Sequence, residues 1–401
     1  MSIKDELNKA GVYVLPPVAP EQPESQIIME RLAALGYTFR LNLCNDNIEV
    51  NGHGLSDIVM AEIRMRLRDI GLAKKLAAAE DAYVAEAKKN SYHPVLDYLN
   101  ALKWDNADHI SALASHLYSS DPPIVYHDGT AVPLHYVYLY RWLIGAVAKA
   151  HTGAQNAMMV WDGGQGIGKS TLASWLGSGL PSYCIEGPIN VQDKDSNVRL
   201  ISKWIWEVSE LDATTRKADQ SALKSFITTE RVTVRKAYGR NDMTKPALAS
   251  LIGTVNNTSG FLADESGSRR FMITKLDRID RRYRDIDVNQ VWAQAAALYQ
   301  AGEQWQLIGE EAAAQRTHNE RYEVTSVLDD WIDKYFVFDT TSEDLVSLSD
   351  VIDAMGFDGV RLSGSERQQA MELSRVLSRK GAKSTHTRHG NRWTGLYKRP
   401  R

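Results

Sequence analysis

Apolar and polar positions along the chain change rhythm twice. Between residues 26 and 150 apolar residues recur mostly at helical spacing. Ile58, Ile63, Leu67 and Ile70 share one face of a helix expected over 56–72. Thr38–Val50 alternates instead and predicts a hairpin around Asn45–Asn47. Tyr136–Ala150 is apolar almost all round, the signature of a buried helix. His93–Pro94 and Asp121–Pro122–Pro123 break the pattern. From Asn156 to about Leu276, short apolar strands are separated by glycine-rich turns and helical stretches, which predicts an α/β unit. Helices over 288–299 and 310–321 then lead to an end module. There 325–335, 349–355 and 365–380 read as helices, and 383–397 as a hairpin turning at His389–Gly390–Asn391. That is the pattern of a winged helix-turn-helix.

The resulting division is a flexible arm over 1–25 containing Pro16, Pro17, Pro20 and Pro23, a mainly helical domain over 26–150, an α/β domain over 151–322, and a winged-helix-like module over 323–401. The 401 residues, 43% hydrophobic and 24% charged, have ordinary globular composition and are numerous enough to bury a core without staples. Cys44 and Cys184 are the sole cysteines, which excludes a disulfide scaffold or a cysteine zinc site and suits a reducing cytosol. The charged start MSIKDELNK has no apolar h-region, so no signal peptide is expected. The apolar run Trp142–Ala148 is too short to span a bilayer, so the expectation is a cytoplasmic protein without a membrane partner. The ten histidines show no metal-ligand spacing, and no serine-hydrolase elbow is present.

A net charge of −3 conceals an asymmetry: residues 360–401 carry +9 and the rest −12. A basic end on an acidic body points to a polyanion as its partner, against the plainer reading of a solvated basic face.

The strongest chemical signal is Gly163-Gly164-Gln165-Gly166-Ile167-Gly168-Lys169-Ser170, a full G-x-x-x-x-G-K-[ST] match followed by Thr171. It lies between a buried strand over 157–161 and a helix start, the context such a P-loop needs. Backbone N–H groups of this loop cradle phosphates, Lys169 reaches the β- and γ-phosphates, and the Ser170 hydroxyl ligates Mg²⁺, so ATP and Mg²⁺ are the expected cofactors. Hydrolysis also needs an acid beside the metal. Lys203-Trp204-Ile205-Trp206-Glu207-Val208-Ser209-Glu210 supplies two. Three residues apart, they cannot share a face of one strand, so one lies beyond its end. Glu207 is favoured for the metal side and Glu210 for the attacking water, with a Glu207–arginine pair as the structural alternative. A second apolar strand, 249–255, ends in Asn256, whose amide suits positioning that water. Arg269 and Arg270 precede another strand and can stabilise the charge of phosphoryl transfer, in trans if a neighbouring copy supplies them. An ion pair with Asp264 or Glu265 is the simpler alternative.

Basic residues interleaved with an aromatic mark two nucleic-acid candidates. One is Lys224 with Arg235, Lys236, Tyr238 and Arg240; the other comprises Arg379, Lys380, Arg388, Arg392 and Trp393 in the tail, flanked by Arg375, Lys398 and Arg399. Tyr238 is placed to stack on a base.

This order of motifs, with Phe226-Ile227-Thr228, Gly253-Thr254-Val255-Asn256 and Gly267-Ser268-Arg269-Arg270-Phe271, resembles the virulence-associated protein E family of phage and genomic-island proteins. Phe39-Arg40-Leu41-Asn42, His93–Leu99 and Trp104-Asp105 resemble its flanking region, and the likeness covers roughly residues 35–300. These proteins look like superfamily 3 helicase-type ATPases, often joined to primases. The resemblance implies an AAA+-like core in a ring, commonly hexameric, that hydrolyses ATP at subunit boundaries and moves DNA; a separate primase is a candidate further partner. Carried over by position, Lys169 and Ser170 bind nucleotide and metal, Glu207 and Glu210 form the acidic motif, Asn256 is the phosphate sensor, and Arg269 or Arg270 is the finger. The acidic motif departs from the family's apolar run followed by an acid pair, so its catalytic member stays open. No polymerase acid cluster is visible, and primer synthesis is not predicted. The leading expectation is a DNA helicase or translocase serving a mobile element. The alternative is a nucleotide-bound DNA-binding protein, in origin recognition or phage interference, that uses ATP only for assembly. A small-molecule kinase fits the basic tail poorly.

Overall fold

Strands buried on both faces read as continuous apolar runs, and such runs build the sheet that organises the larger part of the chain. A computed structural model describes residues 23–190, 193–209, 211, 217–235, 242–256, 262, 268–322, 327–339, 344–357, 365–387 and 390–399. In chain order the strands here are β1 (Met158–Asp162), β2 (Cys184–Glu186), β3 (Ile205–Val208), the hairpin β4 (Arg231–Arg235) and β5 (Asp242–Pro246), then β6 (Ser250–Val255) and β7 (Phe271–Lys275). Five of them form one sheet in the order β7-β1-β6-β3-β2, with every pairing parallel. Every residue of β1 and of β6 is buried. This is a mixed α/β fold around a central parallel sheet.

The helices of this part are α1 (Leu134–Thr152), α2 (Lys169–Leu176), α3 (Lys194–Ser202), α4 (Lys217–Ile227), α5 (Val288–Gln300) and α6 (Gly309–Asn319). Thirteen residues of α1 are buried, which explains its nearly unbroken apolar surface. It stops at Gly153, whose φ of 72° is a left-handed cap suited to glycine. Three tryptophans lock α1, α2 and α5 to the sheet. The rings of Trp204 and Trp292 lie 4.3 Å apart, and those of Trp142 and Trp292 6.4 Å apart. Each buried indole N–H donates to a carbonyl: Trp142 to Leu251 at 3.2 Å, Trp204 to Ala146 at 3.2 Å, and Trp292 to Leu176 at 2.8 Å. The helical residues before 150 and the sheet after it therefore share one core.

On α1, Arg141 donates to the Glu311 carboxylate at 2.8 and 3.0 Å and to Glu303 at 2.8 Å, while the Tyr126 hydroxyl donates to Glu311 at 2.9 Å. Glu311 is only 6% exposed. Removing its cation strands a buried charge, so Arg141→Ala is expected to cost about 3–5 kcal/mol. A fall in the urea midpoint of tryptophan fluorescence checks this, and Arg141→Met with Glu311→Leu should recover most of the loss.

The N-terminal segments have a core of their own. Helices Glu24–Ala34, Asp57–Asp69 and Leu76–Lys89 pack on the hairpin Phe39–Asn42/Asn47–Val50 through Ile28, Leu32, Ile63 and Leu67, with Phe39 stacked on Tyr83 at 5.0 Å. The Ser56 hydroxyl accepts from the Val59 N–H and caps the second helix. Residues 1–22 of the proline-rich arm lie outside the described residues.

The chain divides into two units, residues 1–257 with 269–317, and residues 258–268 with 318–401. In the second, α7 (Val327–Tyr335), α8 (Leu348–Phe357) and α9 (Glu366–Arg379) accompany β8 (Phe336–Phe338), β9 (Val346–Ser347), β10 (Lys383–Thr387), β11 (Gly390–Thr394) and β12 (Leu396–Lys398). β10 and β11 form a hairpin, β9 joins the β11 side, and β8 pairs with β12. Trp331, Ile332, Val351, Leu373 and Leu377 fill its core. Ser365 and Gln368 form a capping box at the start of α9. Among the described residues, no helix is long and apolar enough to cross a membrane.

Candidate functional site

The loop between β1 and α2 is shaped by its glycines. Gly166 and Gly168 have φ of 81° and 106°, a region that L side chains rarely adopt. Gly163 is required for space: a Cβ there would lie 2.3 Å from the Leu276 carbonyl oxygen. The loop's root is pinned on both sides, Gly163 N–H donating to Val255 O at 3.3 Å and Leu276 N–H to Asp162 O at 2.7 Å. Gly168 occupies the N-cap of α2, so no side chain caps the helix start. Its amides and dipole favour an anion.

Lys169 is 6% exposed and folds over this loop. Its Nζ donates to the carbonyls of Gly163 at 2.6 Å and Gly164 at 3.0 Å, and to Asn256 Oδ1 at 3.2 Å. The meeting with Asn256 follows from strand order. β6 lies beside β1 with Val255 opposite Asp162, so the next residue on each strand, Asn256 and Gly163, emerges at the same level.

On its other side β6 pairs with β3, placing Ile252 opposite Glu207. Glu207 is 3% exposed, and among the described residues neither of its carboxylate oxygens has a hydrogen-bond donor. Burial pushes its pKa up; the neighbouring Ser170 hydroxyl favours the anion, and the Glu186 carboxylate adds to the rise. A carboxylate buried this deeply is costly unless a cation meets it. With the Ser170 hydroxyl beside it, the pair fits Mg²⁺, which takes one or two carboxylates plus phosphate oxygens and keeps several waters. The arginine pairing considered for Glu207 does not occur among the described residues. β3 ends at Val208, two residues short of Glu210, which itself lies outside the described residues.

The two candidate arginines sit elsewhere. Ser268–Arg270 forms a short turn before β7, and Phe271 pairs with Met158 at the start of β1. Arg269 and Arg270 are therefore at the opposite end of the sheet from the glycine loop, one strand length or roughly 15 Å away. Arg269 is exposed and Arg270 half-buried; among the described residues neither forms an ion pair, and Arg270 Nε has no acceptor. The Gln315 amide fixes the turn by donating to the carbonyls of Arg269 at 3.1 Å and Phe271 at 2.8 Å. Lys169, Ser170, Glu207 and Asn256 are brought together, and the arginines of the same chain are not.

Two residues expected on nucleic-acid surfaces are internal. Lys224 is 6% exposed, on the buried side of α4 together with Leu223 and Ile227. Trp393 is 4% exposed and belongs to the core of the second unit, because strand alternation that leaves Arg392 outside sends its neighbour inward. Two others are engaged within their own unit, Lys380 with Asp333 at 2.5 Å and Arg392 with Asp350 at 3.4 Å. Arg235 closes β4 opposite Asp242, and Arg379 ends α9. Lys236, Tyr238, Arg240 and Arg388 lie outside the described residues. One acid escaped the sequence reading: Glu186, at the end of the three-residue β2 and opposite Glu207, has no local signal beyond standing before Gly187.

Comparison with known proteins gives a family and a distant structural likeness. The virulence-associated protein E-like domain matches residues 99–324. No curated protein matches the chain. Among solved structures, the apo A form of the NrS-1 C-terminal region is 14% identical with a TM-score of 0.47, covering 92% of this chain and 99% of that one. A second structure of that region is 13% identical with a TM-score of 0.46, covering 94% and 100%.

Proposed function

The chain belongs to the virulence-associated protein E-like family, and from that membership we propose that it is an ATP-hydrolysing DNA motor of the superfamily 3 helicase type, serving replication of a phage or other mobile element. The observation that supports this best is the convergence of Lys169, Ser170, Glu207 and Asn256 at the ends of adjacent parallel strands. In this reading the core is AAA+-like, with ATP and Mg²⁺ as cofactors. The triphosphate lies along Gly163–Thr171, and Lys169 exchanges its carbonyl contacts for the β- and γ-phosphate oxygens. Ser170 and Glu207 hold Mg²⁺, which neutralises charge developing on the phosphates. Glu210 accepts the proton of the attacking water. Asn256 orients that water and registers the γ-phosphate through its contact with Lys169.

Arg269 or Arg270 acts on the triphosphate held by a neighbouring copy, which makes turnover depend on a ring, taken as hexameric. DNA is held by the β4–β5 hairpin connection and by the second unit, whose three helices and β10–β11 hairpin support a winged-helix reading. The net +9 of residues 360–401 adds attraction for a phosphate backbone. The test is strand displacement on a forked duplex with ATP and Mg²⁺. Unwinding together with DNA-stimulated hydrolysis supports the motor; absence of both removes it.

A further inference from the structure

The nucleotide site as proposed leaves one nearby carboxylate without a task. In the ladder between β2 and β3, Cys184 stands opposite Ile205 and Glu186 opposite Glu207. Residues in register on neighbouring strands leave the same face of a sheet, as do residues two apart on one strand. Cys184 identifies that face: its thiol donates to the carbonyl of Gly177, the C-cap of α2, at 3.2 Å. The C-terminal end of α2 thus lies over Cys184, and Glu186 stands further along β2, toward the end of α2 that begins with Lys169 and Ser170. Glu207, opposite it, neighbours the Ser170 hydroxyl and also feels the Glu186 charge. An independent feature marks this place for a cation: Glu207 is 3% exposed with both oxygens lacking donors among the described residues. Glu186 is exposed and, among the described residues, forms no ion pair.

We infer that Glu186 is a second carboxylate of the divalent-cation site, holding the cation's water ligands while Glu207 and Ser170 approach the cation itself. The inference rests on the nucleotide-site reading above. Mg²⁺ keeps several of its waters and commonly takes one or two carboxylates, and outer partners of this kind contribute about 10- to 100-fold to metal affinity. Glu186 is a positioning residue in this scheme.

The test is Mn²⁺ affinity of the full chain saturated with AMP-PNP, excess nucleotide removed, read from the paramagnetic resonance of free Mn²⁺. Glu186→Gln is expected to weaken Mn²⁺ binding about tenfold, the lower end for such partners. Glu186→Asp should retain most of it, and Glu207→Gln should weaken it further. Metal-free affinity for a fluorescent ATP analogue should not change in Glu186→Gln. Wild-type Mn²⁺ affinity in Glu186→Gln, with loss in Glu207→Gln, overturns the role of Glu186 and leaves the nucleotide site standing. Equal loss of metal-free nucleotide affinity in Glu186→Gln also overturns it, as a structural effect. Unchanged Mn²⁺ binding in both variants overturns the nucleotide-site reading as well.

Discussion

Lys169→Ala is expected to end ATP turnover, with single-stranded DNA restoring none of it. The ammonium sits where three oxygens converge, those of Gly163, Gly164 and Asn256. Removing a single preorganised donor to developing charge costs about 10²- to 10³-fold in kcat. Here the removed group is a full charge that also binds the ground-state triphosphate, so affinity should fall with the rate. Lys169→Arg should rescue little, because a planar fork does not fit a position that is 6% exposed and shaped around a point charge. Steady-state phosphate release with and without single-stranded DNA, for wild type and both variants, decides the matter. The melting temperature should move little, since the Lys169 ammonium hydrogen-bonds to oxygens at the loop and the side chain is no part of the hydrophobic core. Turnover surviving in Lys169→Ala would remove the assignment of the glycine loop.

The sequence made some of this legible and hid the rest for definable reasons. β1 and β6 were readable because parallel strands covered on both faces leave no polar alternation to mislead. The glycine loop was readable because left-handed positions at Gly166 and Gly168, and the crowding at Gly163, leave few residue choices. Strand order was not readable. That β6 inserts between β1 and β3 is a tertiary fact, and it alone sets Asn256 beside Lys169 and aligns Glu207 with the loop. Glu186 was hidden for the same reason, since only the β2–β3 register gives it a neighbour. Trp393 and Lys224 are buried although their basic neighbours suggest a surface. The alternation of Arg392 and Trp393 on one strand, and the position of Lys224 next to Leu223 on a half-buried helix, contained the correction.

That same strand order determines what the arginines can do. A guanidinium at the start of β7 and a triphosphate at the end of β1 are separated by the length of the sheet, roughly 15 Å, so one chain cannot join them. If the motor reading holds, the two halves must come from different copies. Arg269→Ala, the exposed one of the pair, is expected to lose about 10³-fold or more in kcat while nucleotide affinity changes little. Arg270→Ala should have a smaller kinetic effect, since that side chain is half-buried. The decisive measurement mixes two inactive chains. Lys169→Ala lacks a working loop but keeps its arginines; Arg269→Ala lacks the arginine but keeps its loop. In a mixed ring, some interfaces join an intact loop to an intact arginine, so ATPase activity should return in the mixture although each protein alone has none. Activity that stays absent over all mixing ratios, with co-assembly confirmed by light scattering, would show that the arginine does not act across an interface.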